Sequence, residues 1–512
     1  MLAFDFARAD SPVDIGSRRE LFVDDYLIES MQGAELRLQS PQRREVVMDY
    51  NRPREGNCCL YHTIVHNGEK YQMWYRGTNY EEFSPPSTVF QNSVPPVVCY
   101  AESLDGIRWT RPELGIVEWE GSTANNIVWP PTDQLIPDGS ISGASSFMAF
   151  LDENPACSPG ERYKGVAQAH QKQADGKLAG GLTLYKSPDG IHWSVKQHRV
   201  ITDGQFDARN IILWDAFRQR YVSFYRDVAR GLNKGYRLSD GYRGISTTTS
   251  ADALSWAPKE LLDYGDSPKA EMYDPAIVIY HRAPQLFVGF PLRYLVSRAA
   301  PENTHAWSEV SDIMFMTSRD GFHWKRWPEA ALRPGPQVGR TERVLRRGEK
   351  VPRPEHYRWG GHCNNMVGGG VVETASDTPG VPNELSIYSI EGYYSGRTSH
   401  LRRYTYRLDG FVSVNAPAAG GEFVTRPLTF TGSQLTMNFS TSGAGGIRVE
   451  IQDAQGRPLE GFSLDDCPEI YGDRIDRIVT WKEQGDLTPV AGQPVRLRFV
   501  MNDADLYAIQ IR

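Results

Sequence analysis

Four acidic side chains stand ahead of, or at the mouth of, apolar strand-like runs. Glu55 lies in RPREGNCCLYH, Asp207 in GQFDARNIILWD, and Glu271 and Asp274, three apart, in AEMYDPAIVIY. Two carboxyl groups, one protonated to assist a departing oxygen and one ionised to attack or activate water, are the equipment for acid–base hydrolysis. A second set closes the following apolar runs: Arg76 in WYRG, His170 in QAH, Arg226 and Asp227 in FYRD, Arg293 in PLRY and Glu391 in YSIEGYY; His362 joins them from GGHCNNM. A lone polar residue at such a place is often only a strand's solvent-facing end. Matching positions in successive runs would line one funnel with charge. Bland readings compete at each acid: Glu55 as a turn cap, Asp207 as a local hydrogen-bond acceptor, and Asp274 as an Asp-Pro turn.

What brings distant residues together is a repeat. The pattern S-x-D-x-x-x-W occurs as SLDGIRW from Ser103, SPDGIHW from Ser187, SADALSW from Ser250 and SRDGFHW from Ser318, at intervals of 84, 63 and 68 residues. RLDGFVS from Arg407, 89 residues on, has lost both Ser and Trp. Asp caps a tight turn, Gly accepts positive φ, and Trp anchors the outgoing strand. A feature repeated in every unit is structural, so these aspartates are not expected to be catalytic.

Each copy follows two strand-like runs, such as CLYHTIV and KYQMWYRG, or NIILWD and RYVSFYRD. Such periods fit four-stranded propeller blades with insertions. The expectation is an all-β chain: a five-bladed propeller over 1–414, then a β-sandwich over 415–512, where LTMNFSTS, GIRVEIQD, PVRLRFVM and LYAIQIR alternate in polarity. The opening ELFVDDYLIES reads as a strand that completes the fifth blade or packs beside the first, with Asp24 and Asp25 in a polar turn. Innermost propeller strands start around the central channel, so the acids ahead of them converge. Blade two is poorest, because GASSFMAFLDEN puts no acid, His or Asn at its inner strand start.

Composition agrees with this architecture and excludes others. Twenty-five Tyr, 12 Trp, 47 Gly and 33 Pro in 512 residues suit short strands and tight turns. A net charge of −7 with interspersed signs argues against a nucleic-acid partner. Six cysteines without metal-ligand spacing read as buried thiols, and neither a metal nor a cofactor is expected. No apolar run is long enough to span a membrane. The first residues lack a basic segment and carry Asp5, so they do not read as a signal peptide; the chain is cytoplasmic as written, or a leader has been removed.

Five blades with Asp-Gly-aromatic hairpins and a C-terminal sandwich resemble the glycoside hydrolases of families 32, 43 and 68. The motifs LFVDDYLIE, SxDGxHW and LRRYTYRLDGFVSV resemble most a poorly characterised group of bacterial proteins. The resemblance implies a base or nucleophile in blade one, matching Glu55, a supporting Asp, for which Asp207 substitutes, and a general-acid Glu, matching Glu271, with Asp274 as its alternate. NDPNG, RDP and EC motifs are absent, so the transfer is partial. The expected function is an exo-acting glycoside hydrolase releasing a terminal sugar. Arg76, His170, Arg226, Asp227, Asp274, Arg293, His362 and Glu391 would bind substrate, and the arginines would suit an anionic sugar. A non-catalytic carbohydrate-binding propeller and a phosphorylase like those of family 130 are the alternatives.

Overall fold

The structure is a computed structural model that describes residues 11–80, 92–131, 142–173, 175–207, 209–230, 241–268, 270–299, 309–334, 365–393, 399–482 and 484–512. Apart from short 3₁₀ turns, all regular structure among these is β. Five antiparallel sheets form five blades. Blade I orders Leu60–His66, Tyr71–Tyr80, Asn92–Ser103 and Ile127–Trp129 from axis to rim. Blade II uses Met148–Leu151, Tyr163–Lys172, Leu178–Ser187 and Ser194–Ile201. Blade III uses Ile211–Asp215, Arg220–Arg230, Gly241–Ser250 and Glu260–Leu261.

Blade IV is interrupted near the axis. Its inner strand is split into Glu271–Met272 and Ile277–Ile279, and its second into Phe287–Gly289 and Leu292–Ala299, before Glu309–Ser318 and Trp324–Leu332. Pro291, which has no amide to donate, lies at the break in the second strand. Blade V holds Met366–Val367 and Val372–Thr374 inside, then Glu384–Glu391 and His400–Arg407.

The strand that closes the ring is Gln42–Asp49, which pairs antiparallel with His400–Arg407 as the rim strand of blade V. This corrects the expectation for ELFVDDYLIES. Arg19–Leu21 instead pairs with Val495–Ile511, and Ile28–Gln32 with Gly421–Thr425, both in the C-terminal sheet. Burial explains the choice: the Phe22 ring meets Phe423 and Phe499 edge-on, at centroid distances of 5.2 and 6.4 Å, inside the C-terminal core. QRREVVMD escapes an apolar search because a rim strand has little to bury.

Ten strands make up the C-terminal sheet, four of them from residues 13–38. The division expected at 414/415 runs through the strand Val412–Ala416, which pairs with both Glu35–Leu38 and Val495–Ile511. Two long strands, Leu435–Asp453 and Val495–Ile511, shift register near Thr441 and Gly446, so one branched sheet folds around its own core.

The repeated motif links third to rim strand in blades I to IV. In all four copies Asp Oδ1 accepts two main-chain N–H groups at 2.7–2.9 Å, and the Trp indole donates to the carbonyl three residues back at 2.9–3.2 Å. That carbonyl belongs to a residue at positive φ: Gly106, Gly190, Gly321, and in the third copy Ala253 at 62°. The turn is then gripped by the preceding blade. Trp74 of blade I donates to Gly190 O at 2.7 Å, Arg220 of blade III to Asp320 O at 3.0 Å, and Tyr388 of blade V to Gly106 O at 2.7 Å. The degraded fifth copy has another use. Asp409 is fully buried and binds Tyr280, Arg282 and Arg19, fastening blade IV to the C-terminal sheet.

Candidate functional site

Blades I, III, IV and V meet at the axis on one guanidinium. Arg209, just ahead of the inner strand of blade III and wholly buried, forks onto Asp274 with Nε to Oδ1 at 3.1 Å and Nη2 to Oδ2 at 2.8 Å. Its Nη1 donates to His62 O at 2.8 Å and its Nη2 also to Val367 O. Next to it, Gly369 donates to His62 O at 2.7 Å and accepts from the Ile64 amide at 2.7 Å. A side chain at Gly369 would crowd Arg209 Nη1, with its Cβ only 3.1 Å away. These bonds tie the four blades together. Burial and then Arg209 push the His62 pKa down to about 3, so the ring, bonded to the Tyr50 hydroxyl, stays neutral.

One residue nearer the strand starts, Tyr61 precedes His62 and Tyr273 precedes Asp274. Their hydroxyls are 3.5 Å apart. Tyr61 holds φ at 58°, inside an inner strand whose register slips between Leu60 and Thr63. A bulky residue rarely adopts that conformation, and doing so costs about 1–3 kcal/mol. Around these rings lie the charges. The Arg76 guanidinium sits 5.0 Å from the Tyr61 centroid, and Arg226 and Arg243 sit 5.3 and 5.8 Å from that of Tyr273. Arg226 is ion-paired with Asp207, and Arg243 Nη1 binds Glu271 Oε2 at 2.8 Å.

The two carboxylates differ in setting. Asp207 is 62% exposed. Glu271 is 6% exposed, and its Oε1 is buried without a hydrogen-bond partner among the described residues. Burial raises the Tyr273 phenol to about 12, so it is a neutral donor at ordinary pH.

The other expected site residues are used elsewhere. The Glu55 carboxylate, expected as base or nucleophile, is sealed from solvent, taking the Tyr75 hydroxyl at 2.5 Å and pairing with Arg111 at 3.4 Å. Asp274 is spent on Arg209; burial raises its pKa against the pull of that partner. Asp227, one residue from Arg226, leaves the opposite face of the strand and binds Ser246 at 2.8 Å and Lys259 at 2.7 Å. Arg293 forks onto Asp312 at 2.8 and 2.6 Å. Glu391 is wholly buried and takes Tyr404, Arg402, His400 and Arg43, tying the closing strand into blade V. His170 is exposed on the second strand of blade II, beside Gly180. His362 lies outside the described residues.

Of the expected residues, then, Arg76, Asp207, Arg226 and Glu271 gather at the tyrosine pair. Sequence reasoning missed Tyr61 and Arg243. Tyr61 reads as one more apolar strand residue in CLYHTIV, because nothing local announces its positive φ. Arg243 opens the third strand of blade III, two residues before Ile245, which lies directly opposite Arg226. Both arginines therefore leave the same face of the sheet, a relation that needs the register.

Comparison with known proteins yields no matching family model and no matching curated protein. Solved structures do match. Beta-1,2-mannobiose phosphorylase from Listeria innocua is 10% identical with a TM-score of 0.43, covering 72% of this chain and 97% of that one. A glycosyl hydrolase from Bacteroides ovatus is 12% identical at 0.39, covering 77% and 93%. The family 32 beta-fructofuranosidase of Bombyx mori is 11% identical at 0.36, covering 93% and 94%. The all-β, five-bladed propeller rests on this chain's own sheets.

Proposed function

We propose that this protein is a carbohydrate-active enzyme that releases a terminal sugar at the tyrosine-lined end of the propeller axis, with Glu271 and Asp207 as its carboxyl pair. The observation that carries the reading is the asymmetry of Glu271. Arg243 fixes Oε2, whereas Oε1 is buried and has no partner among the described residues. Such an oxygen has hydrogen-bonding capacity that nothing else among the described residues uses, and this reading assigns it to the leaving glycosidic oxygen. Asp207, exposed and paired with Arg226, is the partner that attacks the sugar carbon or activates water. Tyr61 and Tyr273 offer hydroxyls and ring faces to a sugar, and Arg76 offers a cation beside them.

Glu55 leaves the reaction in this reading and becomes a support for Tyr75. A screen of oligosaccharides and polysaccharides for released sugar tests the proposal. Glu271→Gln is expected to cut turnover by about 10²-fold or more with the fold intact. Unchanged turnover in that variant sinks it. The gathering of Arg76, Arg226 and Arg243 favours one second reading, in which phosphate takes the place of water. Turnover that requires inorganic phosphate would select it.

A further inference from the structure

Asp207 combines an exposed side chain with a main chain that is tied down on three sides. The Phe206 amide donates to Arg226 O at 3.2 Å, Phe206 O accepts from Asn210 Nδ2 at 3.2 Å, and Asp207 O accepts from the Tyr61 hydroxyl at 3.4 Å. Two of these ties lie within blade III. The third crosses to it from blade I.

Both ends of that crossing stand on left-handed backbone, with φ at 49° for Phe206 and 58° for Tyr61. Glycine would adopt either conformation without strain, yet the sequence places aromatic rings at both. Phe206 buries its ring against Tyr225, centroids 5.3 Å apart, while the next residue emerges to solvent. In blade I the register runs from Leu60 opposite Arg76 to Thr63 opposite Trp74, so Tyr61 and His62 together oppose Tyr75. That is a β-bulge, a device that re-aims side chains. His62 turns to Tyr50, and Tyr61 turns to Asp207 and Tyr273.

Strained backbone of this kind persists where surrounding contacts over-determine it, and it gathers at functional sites. Burial pushes the Tyr61 phenol well up, so it keeps its proton and can donate. One ordering satisfies both of its contacts: Tyr273 donates to Tyr61, and Tyr61 donates to Asp207 O.

We propose that Tyr61 is a positioning residue for Asp207: the bulge of blade I carries its hydroxyl to the main chain of blade III and fixes where the carboxylate meets Arg226. The inference rests on the reading that Asp207 works in the reaction. Beyond the ring face that Tyr61 offers a sugar, it gives the hydroxyl a task exercised through another residue. Preorganisation of this sort acts on kcat more than on binding.

The test compares the full chain with Tyr61→Phe, which removes only the hydroxyl, with Asp207→Asn and with the double variant, thermal melts confirming that each folds. Hydrogen–deuterium exchange is followed in peptides that span Phe206 and Asp207, and kcat and KM are measured on a panel of 4-nitrophenyl glycosides. Tyr61→Phe is expected to quicken exchange there and to lower kcat, each by about fivefold, with KM unchanged. In the Asp207→Asn background the same change is expected to cost nothing further, because the residue it serves is gone. Exchange that does not move, a loss confined to KM, or losses that multiply in the double variant would each overturn the inference. If exchange quickens while Asp207→Asn turns over like wild type, the assignment of Asp207 to the reaction has failed and the tie between the two residues stands. If Asp207→Asn loses turnover while Tyr61→Phe matches wild type in exchange and kcat, the positioning role alone has failed.

Discussion

Arg209 holds Asp274 through two parallel bonds of 3.1 and 2.8 Å, with both side chains out of water. The same guanidinium caps carbonyls of blades I and V, so one ion pair organises four of the five blades. Removing one partner strands a buried charge, at a cost of about 3–5 kcal/mol. Asp274→Asn and Arg209→Met are therefore expected to lower the urea midpoint strongly. A midpoint within experimental scatter of wild type in both would show that the pair does not hold the axis.

Glu55 and Asp207 separate by exposure, and so should their variants. Glu55→Gln is expected to keep turnover within a few fold while lowering the melting temperature, because the carboxylate serves Tyr75 and Arg111. Asp207→Asn is expected to lower kcat by about 10²-fold or more with little change in melting temperature. Paired steady-state kinetics and thermal melts read both, and the reversed pattern would return Glu55 to the reaction.

His62 gives a pH dependence with a definite sign. Its folded pKa is about 3 and its unfolded value about 6.5, so between these the unfolded chain binds a proton that the folded one refuses. Stability from this site is fully present above about pH 6.5 and is lost as pH falls toward 3, by up to about 1.4 kcal/mol per pH unit. His62→Gln is expected to flatten that limb in urea titrations at stepped pH. Parallel curves for the variant and wild type would remove His62 as the source.

The motif aspartates are structural anchors. Burial acts against Asp189, but the amides of His192 and Ile191, the His192 ring and the Ser187 hydroxyl hold its pKa down to about 2. Its contribution is present above the ordinary carboxylate pKa and fades as pH falls toward 2. Asp189→Ala is expected to cost about 1–2 kcal/mol near neutral pH and to leave turnover intact. Activity lost in proportion beyond the unfolded fraction would assign the motif a role in the site.

The blade count was legible because the S-x-D-x-x-x-W turn needs only neighbours in sequence: a serine, an aspartate, a residue at positive φ and an indole close their bonds within seven residues. Asp207 and Glu271, the proposed carboxyl pair, stand out locally as acids placed ahead of apolar runs. Glu55 sits in an equivalent place and ends up sealed, because Arg111, from beyond the third strand of its own blade, reaches back to it. No local pattern signals that reach.

By itself the sequence determined the all-β class and the five repeats, which depend on turn chemistry and strand alternation. The tertiary structure decided which strand closes the ring, since the polar QRREVVMD pairs along a rim edge while Phe22 and Leu27 of ELFVDDYLIES are drawn into the C-terminal core. It also decided which charges reach the axis. Two neighbouring residues on a strand face opposite ways, so Arg226 meets Tyr273 whereas Asp227 meets Lys259; only the sheet's packing says which of those faces is the site.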